Sequence, residues 1–128
     1  MTTEREVVVS SGAAAAIGPY SQAIRAGGFI FVSGQIPLDP STGQVVGGGI
    51  GAQAERVLDS LRAILDASGS GLERVVKTTV FLTDLGAFTE VNEMYARYFP
   101  QSPPARSTVQ VAALPRGVGI EIEAVALA

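Results

Sequence analysis

The sequence predicts one domain of mixed α and β structure, with its elements in the order β-β-β-α-β-α-β-β. Two stretches with apolar residues at helical spacing and one stretch of strict alternation carry this prediction. The chain has 128 residues, which is the length of a single domain and too short for a doubly wound fold. We expect residues 1–6 to form a loose tail and the last two strands to form a hairpin.

The first three strands are predicted from short apolar runs at the start of the chain. Residues 7–9 are a short strand, and residues 21–26 and 29–33 flank a pair of glycines. Paired glycines tolerate positive φ and favour a tight hairpin turn. In the second strand of that hairpin, alternate residues share one face, namely Phe29, Phe31 and Ser33.

Two helices are predicted from apolar stripes with charged residues off the stripe. The first stripe is Ile50, Ala54, Val57, Leu58, Leu61, Ile64 and Leu65. Gly69 and Gly71 end that helix. The second stripe is Leu85, Phe88, Val91, Asn92, Tyr95, Tyr98 and Phe99. Thr83 or Asp84 caps the second helix, and Pro100 ends it.

The remaining strands are predicted from alternation and from β-branched residues. Residues 75–82 alternate, so that Val76, Thr78, Val80 and Leu82 share one face. Residues 105–112 and 119–127 form the last two strands, and residues 114–117 connect them.

The composition excludes several kinds of site. The chain has no cysteine and no histidine, which removes thiol nucleophiles, disulfides and the commonest metal ligands. We therefore expect no metal site. The net charge is −3, without a basic stripe, so we expect no nucleic-acid partner.

Hydropathy bears on location and assembly. Polar residues interrupt the uncharged stretch 7–24, so we expect no membrane span and a cytoplasmic protein. The mean hydropathy of +0.33 is high for a small monomer. We infer that another subunit covers part of the apolar surface.

Arg106 and Glu121 are charged residues inside short apolar strands, where an unpaired charge is costly. If the last two strands pair, both side chains face the same space. One interpretation is a cross-strand salt bridge. The other is a carboxylate receptor, in which Arg106 grips an anion through two charge-assisted hydrogen bonds and Glu121 waits for a proton or a water.

Four further residues are candidates, each with a plainer alternative. Asn92 lies on the apolar stripe of the second helix and either points into a site or binds backbone. Ser33 and Gly34 end a strand and either let a ligand approach the backbone closely or form a bulge. Tyr20 follows a rigid Gly-Pro pair and is either an aimed hydroxyl or a core aromatic with an exposed tip.

Several segments, in order along nearly the whole chain, resemble the Rid/YjgF family of reactive intermediate deaminases. They are Ile17–Ala23 (IGPYSQA), Val32–Pro37 (VSGQIP), Val76–Leu82 (VKTTVFL) with Val91 and Asn92, and Pro104–Ser107 (PARS) leading to Ile120–Ala124 (IEIEA). The last of these resembles the family signature closely.

The resemblance implies an α+β fold that is chorismate-mutase-like, of the Bacillus type, with a mixed sheet and two helices on one face. It also implies a homotrimer whose sheets build a central barrel, with sites at the clefts between subunits. The implied activity is hydrolysis of 2-imino acids and their enamine tautomers to 2-keto acids and ammonia, without a cofactor.

The resemblance also implies roles for individual residues. Arg106 holds the substrate carboxylate, and Glu121 orients or deprotonates the attacking water with help from the backbone carbonyl of Thr108. The N–H of Gly34 contacts the substrate, and the positions of Tyr20, Ser33 and Asn92 line the cleft. Thr108 departs from well-known members, which have cysteine there, so thiol chemistry is not available to this chain.

Three other functions remain open at this point. The first is a binding function, in which the same cleft of a trimer would bind small keto-acid or amino-acid carboxylates without turnover. Some relatives have been described as ribonucleases, but the acidic balance and the lack of histidine argue against that role. Exposed apolar surface would also support general protection of other proteins.

Overall fold

The structure is a computed structural model that describes residues 4–128, and it contains a six-stranded mixed sheet with two helices packed on one face. The strands are β1 Glu6–Val8, β2 Ala23–Ala26, β3 Phe29–Gln35, β4 Val75–Leu82, β5 Ala105–Gln110 and β6 Ile120–Leu127, and the helices are α1 Ile50–Ala67 and α2 Phe88–Tyr98. This confirms the predicted α+β class and the order of its elements. Glu6 was predicted to lie in the loose tail, but it begins β1 and pairs with Arg25 of β2. Residues 1–3 of the predicted tail lie outside the described residues.

The sheet has the order β1-β2-β3-β6-β4-β5. All neighbouring strands are antiparallel except β4 and β5, which run parallel. The predicted hairpin between β2 and β3 is confirmed, because Gly27 and Gly28 adopt φ values of 58° and 85°. Such a turn needs positive φ at both positions, which glycine adopts without steric cost.

The prediction that the last two strands pair as a hairpin was wrong. β6 lies between β3 and β4, while β5 occupies the edge beyond β4. β6 takes the central place because its inward residues are fully apolar, with Ile120, Ile122 and Ala126 at 0% exposure. The helix α2 carries the chain back along the sheet after β4, so β5 starts at the same end as β4 and pairs with it in parallel.

The core lies between the sheet and the two helices. The apolar stripe of α1 is buried as predicted, with Val57, Leu58, Leu61, Ile64 and Leu65 inaccessible to solvent. These side chains meet the inward residues of β3, β4 and β6. Burial of this apolar surface is the main stabilising contribution to the fold.

Two predicted details of the second half differ from the structure. Val76 is 39% exposed instead of sharing the inner face of β4 with Thr78, because a register shift near Val75 turns it outward. The second helix starts at Phe88, later than its apolar stripe suggested, because residues 85–87 form a 3₁₀ turn. Asp84 caps that turn by accepting a hydrogen bond from the N–H of Gly86 at 2.8 Å.

The second face of the sheet has no helix packed on it among residues 4–128. Phe29, Phe31, Val109 and Leu127 lie on this open face and are each about 40% exposed or more. Facing apolar side chains of this size toward water is unfavourable for an isolated subunit. Within the described part of the chain, no helix is both long and apolar enough to cross a membrane.

Candidate active site

Glu121 projects from the open face of the sheet. It lies on the central strand β6, between the buried residues Ile120 and Ile122. Side chains alternate along a strand, so Glu121 points away from the helices. Its neighbour across β4 is Phe81, and its side chain is half-buried.

Gly34 lies directly against the Glu121 carboxylate. The pairing of β3 with β6 is interrupted between Val32 and Gln35, so Gly34 sits in a bulge. A Cβ atom built on Gly34 would lie 2.8 Å from Cδ of Glu121 and would overlap its Oε2. The absence of a side chain at position 34 therefore makes room for the carboxylate.

Burial raises the pKa of the Glu121 carboxyl above its ordinary value of 4.5, and the nearby charge of Glu123 raises the pKa further. Both effects disfavour the ionised form, because it loses hydration and meets a like charge. A carboxylate with a raised pKa is a stronger base than an ordinary one.

A cavity of about 670 Å³ adjoins Glu121. Its lining includes Tyr20, Ser33 and Gly34, together with apolar residues from two loops, namely Ile17, Ile36 and Leu38. The structure therefore brings together four of the seven residues that the sequence nominated.

Ser33 and Tyr20, which line this cavity, are held by hydrogen bonds to backbone groups. The Ser33 hydroxyl donates to the carbonyl of Ser21 at 2.6 Å, and the Ser33 N–H donates to the carbonyl of Gln22 at 2.9 Å. The Tyr20 side chain is 53% exposed, and its hydroxyl accepts a weak hydrogen bond from the N–H of Ile17. Tyr20 is therefore a wall residue and not part of the core.

Gln22 was missed as a supporting residue by sequence reasoning. Its buried side-chain amide accepts from the N–H of Ser10 at 2.7 Å and donates to the carbonyls of Ser10 and Ala14 at 3.1 and 2.8 Å. These bonds hold the loop that leads to Ile17 and Tyr20. A single uncharged residue beside a strand gives no periodic signal, so only the structure reveals this role.

Arg106 lies on the other face of the sheet, under α2. It pairs with Thr78 of β4, and its guanidinium carbon is 4.8 Å from the ring centroid of Tyr95 and 5.5 Å from that of Phe88. These distances are within the range of cation–π attraction. The Tyr95 hydroxyl is hydrogen-bonded to the Thr78 hydroxyl at 2.7 Å, which fixes the ring beneath Arg106.

A second cavity, of about 420 Å³, adjoins Arg106 and also contacts Asn92. Over residues 4–128, Arg106 forms no ion pair and the Asn92 side chain has no hydrogen bond. A guanidinium that is stacked on aromatic rings but not neutralised is suited to bind an external anion.

Thr108 follows Arg106 by two residues on the same face of β5. Its hydroxyl oxygen is buried and has no hydrogen-bond partner in the described chain. The N–H of Val111 donates to the carbonyl of Leu82 on β4. Because backbone groups alternate in direction along a strand, the carbonyl of Thr108 points to the free edge of the sheet.

The expectation that Arg106 and Glu121 face the same space is wrong within one subunit. Arg106 is on the helix side of the sheet and Glu121 is on the open side, with β4 between their strands. The salt-bridge interpretation is wrong for the same reason. Each residue instead adjoins its own cavity, and each cavity holds part of the predicted set of residues.

Comparison with known proteins places this arrangement in a family. The family model described as Endoribonuclease L-PSP matches residues 10–128. The chain is 57% identical over 125 residues to Protein DfrA of Myxococcus xanthus, and the match covers 96% of this chain and 95% of that protein. It is 52% identical over 123 residues to the 2-iminobutanoate/2-iminopropanoate deaminase of Mus musculus, with coverage of 96% and 91%.

A solved structure agrees with these relatives. The crystal structure of E. coli TdcF with bound serine matches with a TM-score of 0.92 and 40% identity, and the match covers 96% of this chain and 98% of that one. These matches extend over the strands and helices that carry both cavities. The chain therefore belongs to the Rid/YjgF family.

Proposed function

We propose that this protein hydrolyses reactive 2-imino acids, and the enamino acids in equilibrium with them, to 2-keto acids and ammonia. The observation that carries the proposal is the half-buried Glu121 carboxylate, with its raised pKa, at the wall of a cavity beside Gly34. The relatives named 2-iminobutanoate/2-iminopropanoate deaminase, at 50–52% identity, support it.

Glu121 acts as the general base in this proposal. It takes a proton from water as the water oxygen bonds to C2 of the imine, while the π electrons of the C=N bond move to nitrogen. Glu121 then gives that proton to nitrogen. It carries the second water proton from the hydroxyl of the tetrahedral intermediate to nitrogen in the same way, and the C–N bond breaks to release ammonia.

Arg106 binds the carboxylate of the substrate through paired N–H donors. Because Arg106 and Glu121 are on opposite faces of one sheet, we propose that the site forms between two subunits of a homotrimer. One subunit supplies Arg106 and Asn92, and its neighbour supplies Glu121, Gly34 and the cavity beside them. The exposed apolar residues of the open sheet face favour such an assembly.

The remaining candidates have positioning roles. The backbone N–H of Gly34 donates to the substrate, and the free carbonyl of Thr108 accepts from the attacking water. Ser33, Tyr20 and Asn92 shape the cleft around them. Water and a carboxylate supply the whole reaction through proximity, so the proposed mechanism uses no cofactor.

The experiment couples the protein to a threonine dehydratase that releases 2-iminobutanoate, with semicarbazide as a competing nucleophile. We expect wild-type protein to divert imine from semicarbazide to 2-ketobutanoate, and Arg106→Ala to lose this effect while keeping its oligomeric mass. Arg97→Ala is the matched control, because Arg97 adjoins a different cavity. An Arg106→Ala protein that retains the full rate would refute the mechanism.

A second candidate function is binding of small carboxylates in the same cleft without turnover. The bound serine in the E. coli TdcF structure favours it, because serine also carries an α-carboxylate. Isothermal titration with 2-ketobutanoate and with serine separates the two functions. Tight binding that depends on Arg106, together with no acceleration of imine hydrolysis, would support the binding function over the enzyme.

A further inference from the structure

Arg116 has a backbone conformation that is uncommon for its residue type. It lies in the connection between β5 and β6, with φ 59° and ψ 20°. This left-handed region disfavours residues with a Cβ, and its occupation by a large side chain requires support from the surrounding structure. Arg116 lines the cavity that also contacts Glu121.

A hydrogen bond to a second loop holds the Arg116 side chain. Its Nη1 donates to the carbonyl of Gly43 at 2.6 Å. Gly43 is part of a tight turn, in which its own N–H donates to the carbonyl of Asp39 at 2.8 Å. The guanidinium is thus anchored to a turn that directly follows the cavity wall formed by Ile36 and Leu38.

Arg116 is also the single cation among the residues that line this cavity. Glu121 and Glu123 line the same cavity, yet neither forms an ion pair with Arg116 in the described part of the chain. A guanidinium has five N–H donors. One of them is bound to Gly43, and the others have no partner among residues 4–128.

The cavity is larger than the smallest imino acids require. Cavities of roughly 300–1,000 Å³ hold drug-sized ligands, and this cavity has about 670 Å³. An imino acid of three or four carbons next to Glu121 would fill only part of it. The remaining space has apolar walls at Ile17, Ile36 and Leu38 and has Arg116 at its edge.

We propose that Arg116 is a specificity-determining residue that binds a terminal carboxylate on the substrate side chain, so that the protein accepts 2-imino dicarboxylic acids. This inference rests on the proposed function, in which Arg106 of a neighbouring subunit binds the α-carboxylate. The methylene groups between the two substrate carboxylates pack on the apolar walls.

The test compares two substrates in wild-type protein, Arg116→Gln and Arg116→Lys. Amino-acid oxidases, with catalase present, generate 2-iminoglutarate and 2-iminobutanoate in situ. Semicarbazide competes with the protein for each imine. The measured quantity is the ratio of kcat/KM for 2-iminoglutarate to kcat/KM for 2-iminobutanoate. This ratio cancels any general loss of activity or folding that a substitution causes.

We expect Arg116→Gln to lower the ratio by about 10- to 100-fold, as removal of a charge-assisted hydrogen bond does. Arg116→Lys keeps the positive charge and should keep the ratio within about fivefold of wild type. An unchanged ratio in Arg116→Gln would overturn the inference. So would wild-type protein that hydrolyses 2-iminobutanoate but not 2-iminoglutarate, an outcome that leaves the proposed function intact. Wild-type protein that hydrolyses neither imine would overturn the proposed function, and this inference with it.

Discussion

The carboxylate of Glu121 packs against the bare α-carbon of Gly34, so that no other residue fits at position 34 without moving the carboxylate. The two residues come from neighbouring strands, β6 and β3, at a point where the pairing of these strands is interrupted. The bulge and the glycine together leave the half-buried Glu121 carboxylate facing the cavity instead of another side chain.

We expect Gly34→Ala to lower kcat by about 100-fold, because a displacement of a catalytic group by about 1 Å has an effect of that size. The added Cβ would lie 2.8 Å from Cδ of Glu121 and push the carboxylate away. Gly47→Ala is the matched control, since a Cβ there meets nothing within 4 Å and its φ is not positive. Steady-state rates of imine hydrolysis for both variants test this, and equal rates would contradict the proposed role of Gly34.

A mixture of two inactive variants should recover activity if the site forms between subunits. Arg106→Ala subunits retain Glu121, and Glu121→Gln subunits retain Arg106. Random reassembly of equal amounts gives about one intact site in four, because each half of a site comes from a different chain. Imine hydrolysis before and after denaturation and joint refolding measures this.

The control for the mixing experiment is each variant refolded alone, which should stay inactive. Activity that fails to appear in reassembled mixtures, although mass spectrometry shows mixed oligomers, would mean that Arg106 of one subunit and Glu121 of another do not form a working site. That result would contradict the subunit-bridging arrangement but not the identity of the residues.

Local patterns predicted most of the elements but not the pairing of the last two strands. The stripe of α1, the alternation of β4 and the turn at Gly27 and Gly28 depend on neighbours in sequence, so they could be recognised directly. The position of β6 depends on contacts with β3, which is distant in the chain. The helix between β4 and β5 favours parallel pairing of these two strands. The short loop before β6 instead led to the prediction that β5 and β6 form a hairpin.

The residues that line the two cavities could be singled out individually in the sequence, but their arrangement could not. Arg106 and Glu121 stood out because each is a charge in an apolar strand. The faces on which they lie follow from the strand order, which the sequence did not reveal. Arg116 lies in a loop without periodicity, and its contact with Gly43 spans two connections that are distant in the chain, so no local pattern could have indicated it.

The charge of Glu123 should shift the pH dependence of the reaction. Glu123 helps to raise the pKa of Glu121, after the larger effect of burial. In the proposed mechanism the base must be ionised, so we expect kcat/KM to rise with pH through the pKa of Glu121, which lies above the ordinary 4.5. Glu123→Gln removes the like charge, and we expect the acid limb of the profile to move to lower pH.

The same pKa shift predicts a sign for stability. The folded chain binds more protons at Glu121 than the unfolded chain does, in the range between 4.5 and the raised pKa. The free energy of unfolding therefore falls as the pH rises through this range. Glu121→Gln should remove that fall, as measured by urea unfolding at a series of pH values. A slope that is unchanged in this variant would show that Glu121 is not its source.

The buried hydroxyl of Thr108 has no partner in the described chain, and its removal should stabilise the protein. We expect Thr108→Val, which keeps the shape of the side chain, to raise the free energy of unfolding by about 1 kcal/mol, because an unsatisfied buried hydroxyl is destabilising.

Thr78→Val is the matched comparison on the adjacent strand. Its hydroxyl is bonded to that of Tyr95 at 2.7 Å, so its loss should lower the free energy of unfolding by about 1 kcal/mol. Urea unfolding at one fixed protein concentration measures both variants, since the proposed assembly would make stability depend on concentration. A loss of stability in Thr108→Val as large as that in Thr78→Val would mean that the Thr108 hydroxyl is hydrogen-bonded in solution.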